Sequence, residues 1–158
     1  MAKNYTESSK ELVLKNETAQ IVLRTYSNPK KFYLYKEASE AEKLLLEGFE
    51  RDIEFCPEVT VLLENGEQAV CLVGDVGAHS QNLALIRFDQ AKPIQLKFNE
   101  GENLVTTITS DKPQFSFRDD NQDRYQDIVA WQRDYEKDPL VDQLEKVYLN
   151  AEAGFKLK

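Results

Sequence analysis

The chain has 158 residues, 41% of them hydrophobic and 30% charged, which is enough for one folded domain with a buried core. Its net charge of −8 argues against nucleic-acid binding, which needs a basic surface, and is compatible with a cation or a basic protein partner. No stretch approaches the roughly 18 consecutive apolar residues of a transmembrane helix, so no membrane span is expected.

The first third of the chain predicts short strands followed by one helix. β-Rich runs separated by turn residues occupy residues 11–15, 19–24 and 31–35. Ser39 and Glu42 then form a capping-box pattern, and apolar residues follow at helical spacing. This pattern predicts a helix near residues 39–51.

The middle of the chain predicts a β-hairpin. Asn65-Gly66 is a strong hairpin signal, and it separates apolar runs at residues 59–63 and 68–73. Further strands are predicted at residues 83–88, 93–98 and 104–108. The whole chain, residues 1–158, is expected to be a single domain, with residues 1–10 as a candidate disordered segment.

The two cysteines and the start of the chain leave the cellular compartment open. Cys56 and Cys71 both lie in β-like apolar runs, either as buried thiols of a cytosolic protein or as one disulfide of an exported protein. The polar first residues do not form a signal peptide. The protein is therefore expected to be cytoplasmic, or periplasmic or extracellular if a signal was removed.

Oxygen-bearing side chains alternate between two β-like runs in the last third of the chain. Asp119, Asn121 and Asp123 are spaced by two residues, and Asp127 follows four residues later. Ca²⁺ takes six to eight oxygen ligands, and a tight loop supplies them from alternate residues together with a backbone carbonyl. The spacing indicates a calcium loop, although Asp and Asn are also common in solvated turns without an ion.

The motif D-x-N-x-D-x-x-x-D-I-V at residues 119–129 resembles the calcium loop of FG-GAP repeats, also called VCBS repeats, of integrin-type β-propellers. The resemblance implies four side-chain ligands and one backbone carbonyl ligand, which are Asp119, Asn121, Asp123 and Asp127 for the side chains and Tyr125 for the carbonyl. The chain departs from the family at Arg124, where the family usually has glycine, which adopts a positive φ more readily. Asp120 falls between ligand positions and is expected to point to solvent.

An EF-hand is a poor alternative for this segment. An EF-hand loop needs glycine at its sixth position and a bidentate glutamate at its twelfth, between two helices. Counted from Asp119, those positions hold Arg124 and Ala130, and the flanking runs predict strands.

A loose internal repeat accompanies the motif. Residues 59–98 and 115–158 each contain a loop, a strand, a loop, a strand, a turn and a strand, as two units of an FG-GAP-like array would. The predicted fold is mainly β or α+β, with antiparallel hairpins in a sandwich or an incomplete propeller-like stack and one short helix near residues 39–51.

The leading functional hypothesis is a non-enzymatic calcium-binding module that serves protein–protein interaction, with a structural ion in the loop. The alternative is an exported inhibitor or immunity-type protein that binds a basic partner and has a metal-free loop. An enzyme ranks third, because His79 and Ser80 lie in a loop without a nucleophile-elbow sequence.

Overall fold

A computed structural model describes eight segments of the chain, which are residues 9–15, 20–27, 30–50, 53–77, 80–111, 115–133, 143–151 and 154–158. These segments contain fifteen β-strands and one 3-10 helix. The fold is mainly β, as predicted. Of residues 1–10, the structure describes only Ser9 and Lys10, which begin the first strand, and His79 lies outside the described residues.

The strands form three sheets. The first sheet has the order β1 (Ser9–Lys15), β2 (Gln20–Ser27), β3 (Lys30–Lys36) and β4 (Leu44–Leu45). The second contains β5 (Ile53–Leu62), β6 (Gln68–Val76), β7 (Ser80–Asp89), β8 (Lys92–Gln95) and β11 (Ile108–Ser110), with β11 and β8 both paired to β7. The third has the order β10 (Asn103–Val105), β9 (Phe98–Glu100), β15 (Gly154–Leu157), β14 (Gln143–Ala151), β13 (Asp127–Arg133) and β12 (Ser116–Arg118). The strand pairs are antiparallel except for β15 with β9.

The second sheet lies between the other two and is buried on both faces. Along β6, Ala69 and Cys71 pack in one apolar cluster with residues of the third sheet. Val70 and Leu72 point the other way, into a cluster with residues of the first sheet. A strand buried on both faces needs a continuous apolar run, which explains why β6 lacks polar alternation. The architecture is therefore a three-layer β-sandwich.

The helix near residues 39–51 is shorter and lies earlier than predicted. The structure has a 3-10 helix at Glu37–Glu42, and Ser39 lies inside it with non-helical φ −136° and ψ 48° instead of capping it. Leu44 then pairs with β3, and Leu46 is buried in the core between the first two sheets. Of the apolar residues at helical spacing, Leu44 pairs with β3 and packs with Phe49 against this core, because tertiary contacts override a weak local propensity.

The two cysteines form a disulfide and are not free thiols. Cys56 on β5 and Cys71 on β6 have Cα atoms 5.3 Å apart, and both side chains are buried. The register of β5 shifts between Phe55 and Thr60, so the bond lies beside a β-bulge. The bond closes the hairpin that the Asn65-Gly66 signal predicted, and Gly66 has φ +88°.

The two halves of the predicted repeat both form antiparallel meanders, in different sheets. Strands β6, β7 and β8 follow one another in the second sheet, and β13, β14 and β15 do so in the third. The repeat itself stays a prediction. The residues of the predicted calcium loop lie between β12 and β13, directly before the meander of the third sheet.

Candidate metal-binding loop

The acidic segment forms the connection between β12 and β13. Arg118 and Asp127 are directly paired across the two strands, so residues 119–126 form a closed loop at the edge of the third sheet. We call residues 119–127 the acidic loop. The strands on both sides agree with the β pattern that the sequence predicts around the motif.

The carboxylates of the acidic loop bond to its own backbone. Asp119 accepts hydrogen bonds from the backbone N–H groups of Asp123 at 3.0 Å and Arg124 at 2.8 Å. Asp123 in turn accepts one from the N–H of Tyr125 at 2.9 Å. Side-chain oxygens that bond to nearby backbone in this way stabilise turns. The two carboxylates are thus directed into the loop.

Asp127 is the buried ligand candidate. Its side chain is fully buried, and its two oxygens accept hydrogen bonds from the N–H groups of Asp120 and Asn150, each at 2.8 Å. Among the described residues it forms no ion pair. A carboxylate removed from water is costly unless hydrogen bonds or a cation compensate it. The two N–H donors occupy two of the roughly four lone-pair sites of the carboxylate, and no other donor to it is found in the described segments.

The backbone of the acidic loop contains two non-glycine residues with positive φ, Gln122 at 60° and Arg124 at 80°. Positive φ is uncommon for residues with a Cβ atom. Arg124 occupies the position at which the FG-GAP pattern usually has glycine. The loop therefore adopts at Arg124 a conformation that glycine would favour.

Asp120 does not point to solvent, and this expectation was wrong. Its side chain is 14% exposed and forms ion pairs with Lys158 at 2.8 Å and Arg118 at 2.9 Å. Hydrogen bonds from Lys158, and next from Arg118, lower the pKa of Asp120 below its ordinary value of 3.8. Arg118 also pairs with Glu145, which makes the largest contribution to its raised pKa. Asp120 thus anchors the acidic loop to the end of the chain.

The ligand candidates range from exposed to buried. Asp119 and Asn121 are exposed, Asp123 and Tyr125 are half-buried, and Asp127 is buried. Their oxygens are the donors that a hard cation prefers. As the side chains stand, no group of three or more histidine, cysteine, aspartate or glutamate residues in the described part of the chain is arranged to hold a metal ion. The ligand set therefore stays a prediction.

The sequence predicts no role for Asn150. The structure places Asn150 in β14, fully buried, with its side chain bonded to the ends of two different loops. An asparagine beside Ala-Glu-Ala-Gly has the local pattern of a turn residue, and nothing in that pattern indicates burial.

Comparisons of the chain with protein-family models, with curated proteins and with solved structures find no match. In the described segments, no helix has both the length and the apolar character needed to cross a membrane. The geometry of the loop and its surroundings must therefore support any functional argument.

Proposed function

We propose that the chain is a non-enzymatic calcium-binding β-module, with a structural ion in the acidic loop. The observation that carries the proposal is Asp127, a fully buried carboxylate at the last ligand position that has no ion-pair partner among the described residues. A cation beside it would compensate its burial. The alternating oxygens of the same loop supply further ligands at the spacing of the FG-GAP pattern.

The proposed ligands are the side chains of Asp119, Asn121, Asp123 and Asp127 and the carbonyl of Tyr125. Asp119 and Asp123 are already directed into the loop by their bonds to backbone N–H groups. Because each carboxylate oxygen has two lone pairs, an oxygen can accept such a bond and still ligate a metal. Ion binding would require these side chains to converge on one centre.

The role proposed for the ion is to fix the hairpin of β12 and β13 at the sheet edge. The three carboxylates proposed as ligands lie close in sequence, and a divalent cation would neutralise their mutual repulsion. A loop ordered in this way would present a fixed surface to a protein partner. We propose that interaction with another protein, rather than catalysis, is what this surface serves.

A second candidate is an exported inhibitor or immunity-type protein with a metal-free loop that binds a basic partner. The disulfide between Cys56 and Cys71 favours this candidate's export, because such bonds persist in oxidising compartments. We propose a periplasmic or extracellular location for either candidate. The net charge of −8 fits a basic partner, whose binding should weaken steeply with salt.

Thermal unfolding in calcium and in chelator tests the proposed function. An ion that binds only the folded state stabilises it by about 2.7 kcal/mol at a concentration of 100 Kd. For a chain of this size the melting temperature should rise by about 5 °C or more. Magnesium at equal concentration should raise it less, because Mg²⁺ demands stricter octahedral geometry.

Matched variants assign the effect to the loop. Asp123→Asn removes one charged ligand and should reduce the calcium-dependent rise. Asp89→Asn makes the same chemical change at an exposed strand end outside the loop and should retain the full rise. Equal melting temperatures in calcium and chelator for the unsubstituted protein would rule out the calcium function and favour the metal-free candidate.

A further inference from the structure

Asn150 is a fully buried residue whose side-chain polar atoms all form hydrogen bonds. Its backbone N–H donates to Asp127 Oδ1 at 2.8 Å, and its Nδ2 donates to the carbonyls of Leu62 at 2.8 Å and Gln126 at 3.3 Å. Its Oδ1 accepts from the N–H of Glu64 at 3.2 Å. An asparagine side chain offers two donor hydrogens and one acceptor oxygen, and all three have partners here.

These partners belong to two different hairpins in two packed sheets. Leu62 and Glu64 lie at the turn between β5 and β6, the hairpin that the disulfide closes. Gln126 and Asp127 end the acidic loop in the third sheet. Because Asp127 also accepts from the N–H of Asp120, one series of hydrogen bonds runs from the N–H of Glu64 to the start of the acidic loop.

The burial of Asn150 and Asp127 makes their hydrogen bonds interdependent. Both side chains are fully buried, so their own polar atoms have no immediate access to solvent when they lose a partner. An unsatisfied buried donor or acceptor is costly, and networks in a low-dielectric interior strengthen their members. Opening either hairpin therefore removes partners from Asn150 and weakens the bonds that Asn150 makes to the other hairpin.

We infer that Asn150 is a positioning residue that couples the conformation of the acidic loop to that of the β5–β6 hairpin. Whatever orders one of them orders the other, since coupling between two sites is reciprocal. A consequence for calcium, which rests on the function proposed above, is that the ion protects the β5–β6 hairpin as well as its own loop. The coupling itself does not depend on calcium.

Amide hydrogen exchange on the metal-free protein tests the coupling. Asp127→Asn leaves one acceptor oxygen for the two N–H groups of Asp120 and Asn150, and Asp127 makes no direct hydrogen bond to Glu64 among the bonds described above. We expect it to accelerate exchange of the Asp120 amide and also of the Glu64 amide, each about tenfold or more. Faster exchange at Asp120 with an unchanged rate at Glu64 would overturn the inference.

A second variant acts on the coupling residue itself. Asn150→Asp keeps the shape and the Oδ1 acceptor but removes both Nδ2 donors, so it should accelerate exchange at both amides. If this variant does not fold, the unsubstituted protein in low denaturant supplies the test. The exchange rates of the Asp120 and Glu64 amides should then depend on denaturant concentration in the same way. Different dependences would contradict the coupling.

Asn82→Asp is the matched control. Asn82 donates to the carbonyl of Gly48 and accepts from Thr109, so it also joins two segments through an amide, but neither of them is one of the two hairpins. Asn82→Asp should leave the exchange of the Asp120 and Glu64 amides unchanged.

Calcium added to the unsubstituted protein separates the coupling from the proposed calcium function. If calcium protects no amide while Asp127→Asn still accelerates both, the coupling stands and the calcium function fails.

Discussion

The acidic loop and the β5–β6 turn both join antiparallel neighbours, yet different forces hold them. The turn contains Asn65-Gly66, and its positive φ falls on a glycine. It is closed by local bonds, from the Gly66 N–H to the Leu63 carbonyl and from the Glu67 N–H to the Asn65 side chain. The acidic loop has no glycine and places its positive φ values on Gln122 and Arg124.

The turn has a conformation that its own residues favour, whereas the conformation of the acidic loop depends on hydrogen bonds from its side chains. The β5–β6 turn uses residues suited to its geometry, and a disulfide closes its hairpin. The acidic loop depends on three carboxylates that accept backbone N–H bonds, which are Asp119, Asp123 and Asp127. The stability of the acidic loop should therefore respond directly to charge and cations, whereas that of the turn should respond only through its coupling to the loop at Asn150.

Removal of the disulfide, which closes the β5–β6 hairpin, should lower the free energy of unfolding more than any other change proposed here. The bond joins residues 15 positions apart, and a loop of this length contributes about 3 kcal/mol to the free energy of unfolding. Replacing Cys56 and Cys71 together by serine should lower the urea-unfolding free energy by about this amount. A reductant should destabilise the unsubstituted protein similarly and leave the double variant unaffected.

Substitution of Asp127 should have the next largest effect, and it acts on the loop. Asp127→Asn leaves one of the N–H groups of Asp120 and Asn150 without an acceptor, which should cost about 2 kcal/mol in urea unfolding. The counterpart in the turn is Asn65→Ala, which removes an exposed side-chain bond and should cost less than about 1 kcal/mol. Equal costs would show that the loop depends on its carboxylates no more than the turn does.

Removing the glycine of the turn and adding a glycine to the acidic loop should change the free energy of unfolding by smaller amounts and in opposite directions. Gly66→Ala should cost about 1 kcal/mol through its φ of +88° alone, because no atom lies within 4 Å of an added Cβ. Arg124→Gly should stabilise by up to about 1 kcal/mol and tighten calcium binding, since it relieves a φ of 80°. Destabilisation by Arg124→Gly would mean that the arginine side chain stabilises the loop.

Substitution of Asp120 should change the stability least, and the size of the change should depend on pH. Its pKa is lowered from 3.8 in the folded state, so its ionised form contributes stability above that pH. The contribution is lost as the pH falls from 3.8 through the lowered value. Asp120→Asn should therefore lower the melting temperature slightly at neutral pH and have no effect in strong acid. A difference that is independent of pH would contradict the ion-pair assignment.

Local patterns were sufficient for the fold class, the hairpin at Asn65-Gly66 and the strands around the acidic loop. They failed where distant residues determine the environment. Leu46 packs in the core between sheets instead of continuing a helix, and Asp120 pairs with Lys158, which is 38 positions away. Asn150 bonds to groups 86 and 88 positions away, on a hairpin that no local pattern associates with it.

A crystal structure of the protein grown with calcium tests the central claim most directly. We expect one calcium ion at about 2.4 Å from each ligand oxygen. The ligands should be the carbonyl of Tyr125 and the side chains of Asp119, Asn121, Asp123 and Asp127. Asp127 should remain buried and bonded to the N–H of Asn150 while it ligates the ion. A well-ordered acidic loop without an ion at millimolar calcium, or an ion held by other residues, would contradict the account.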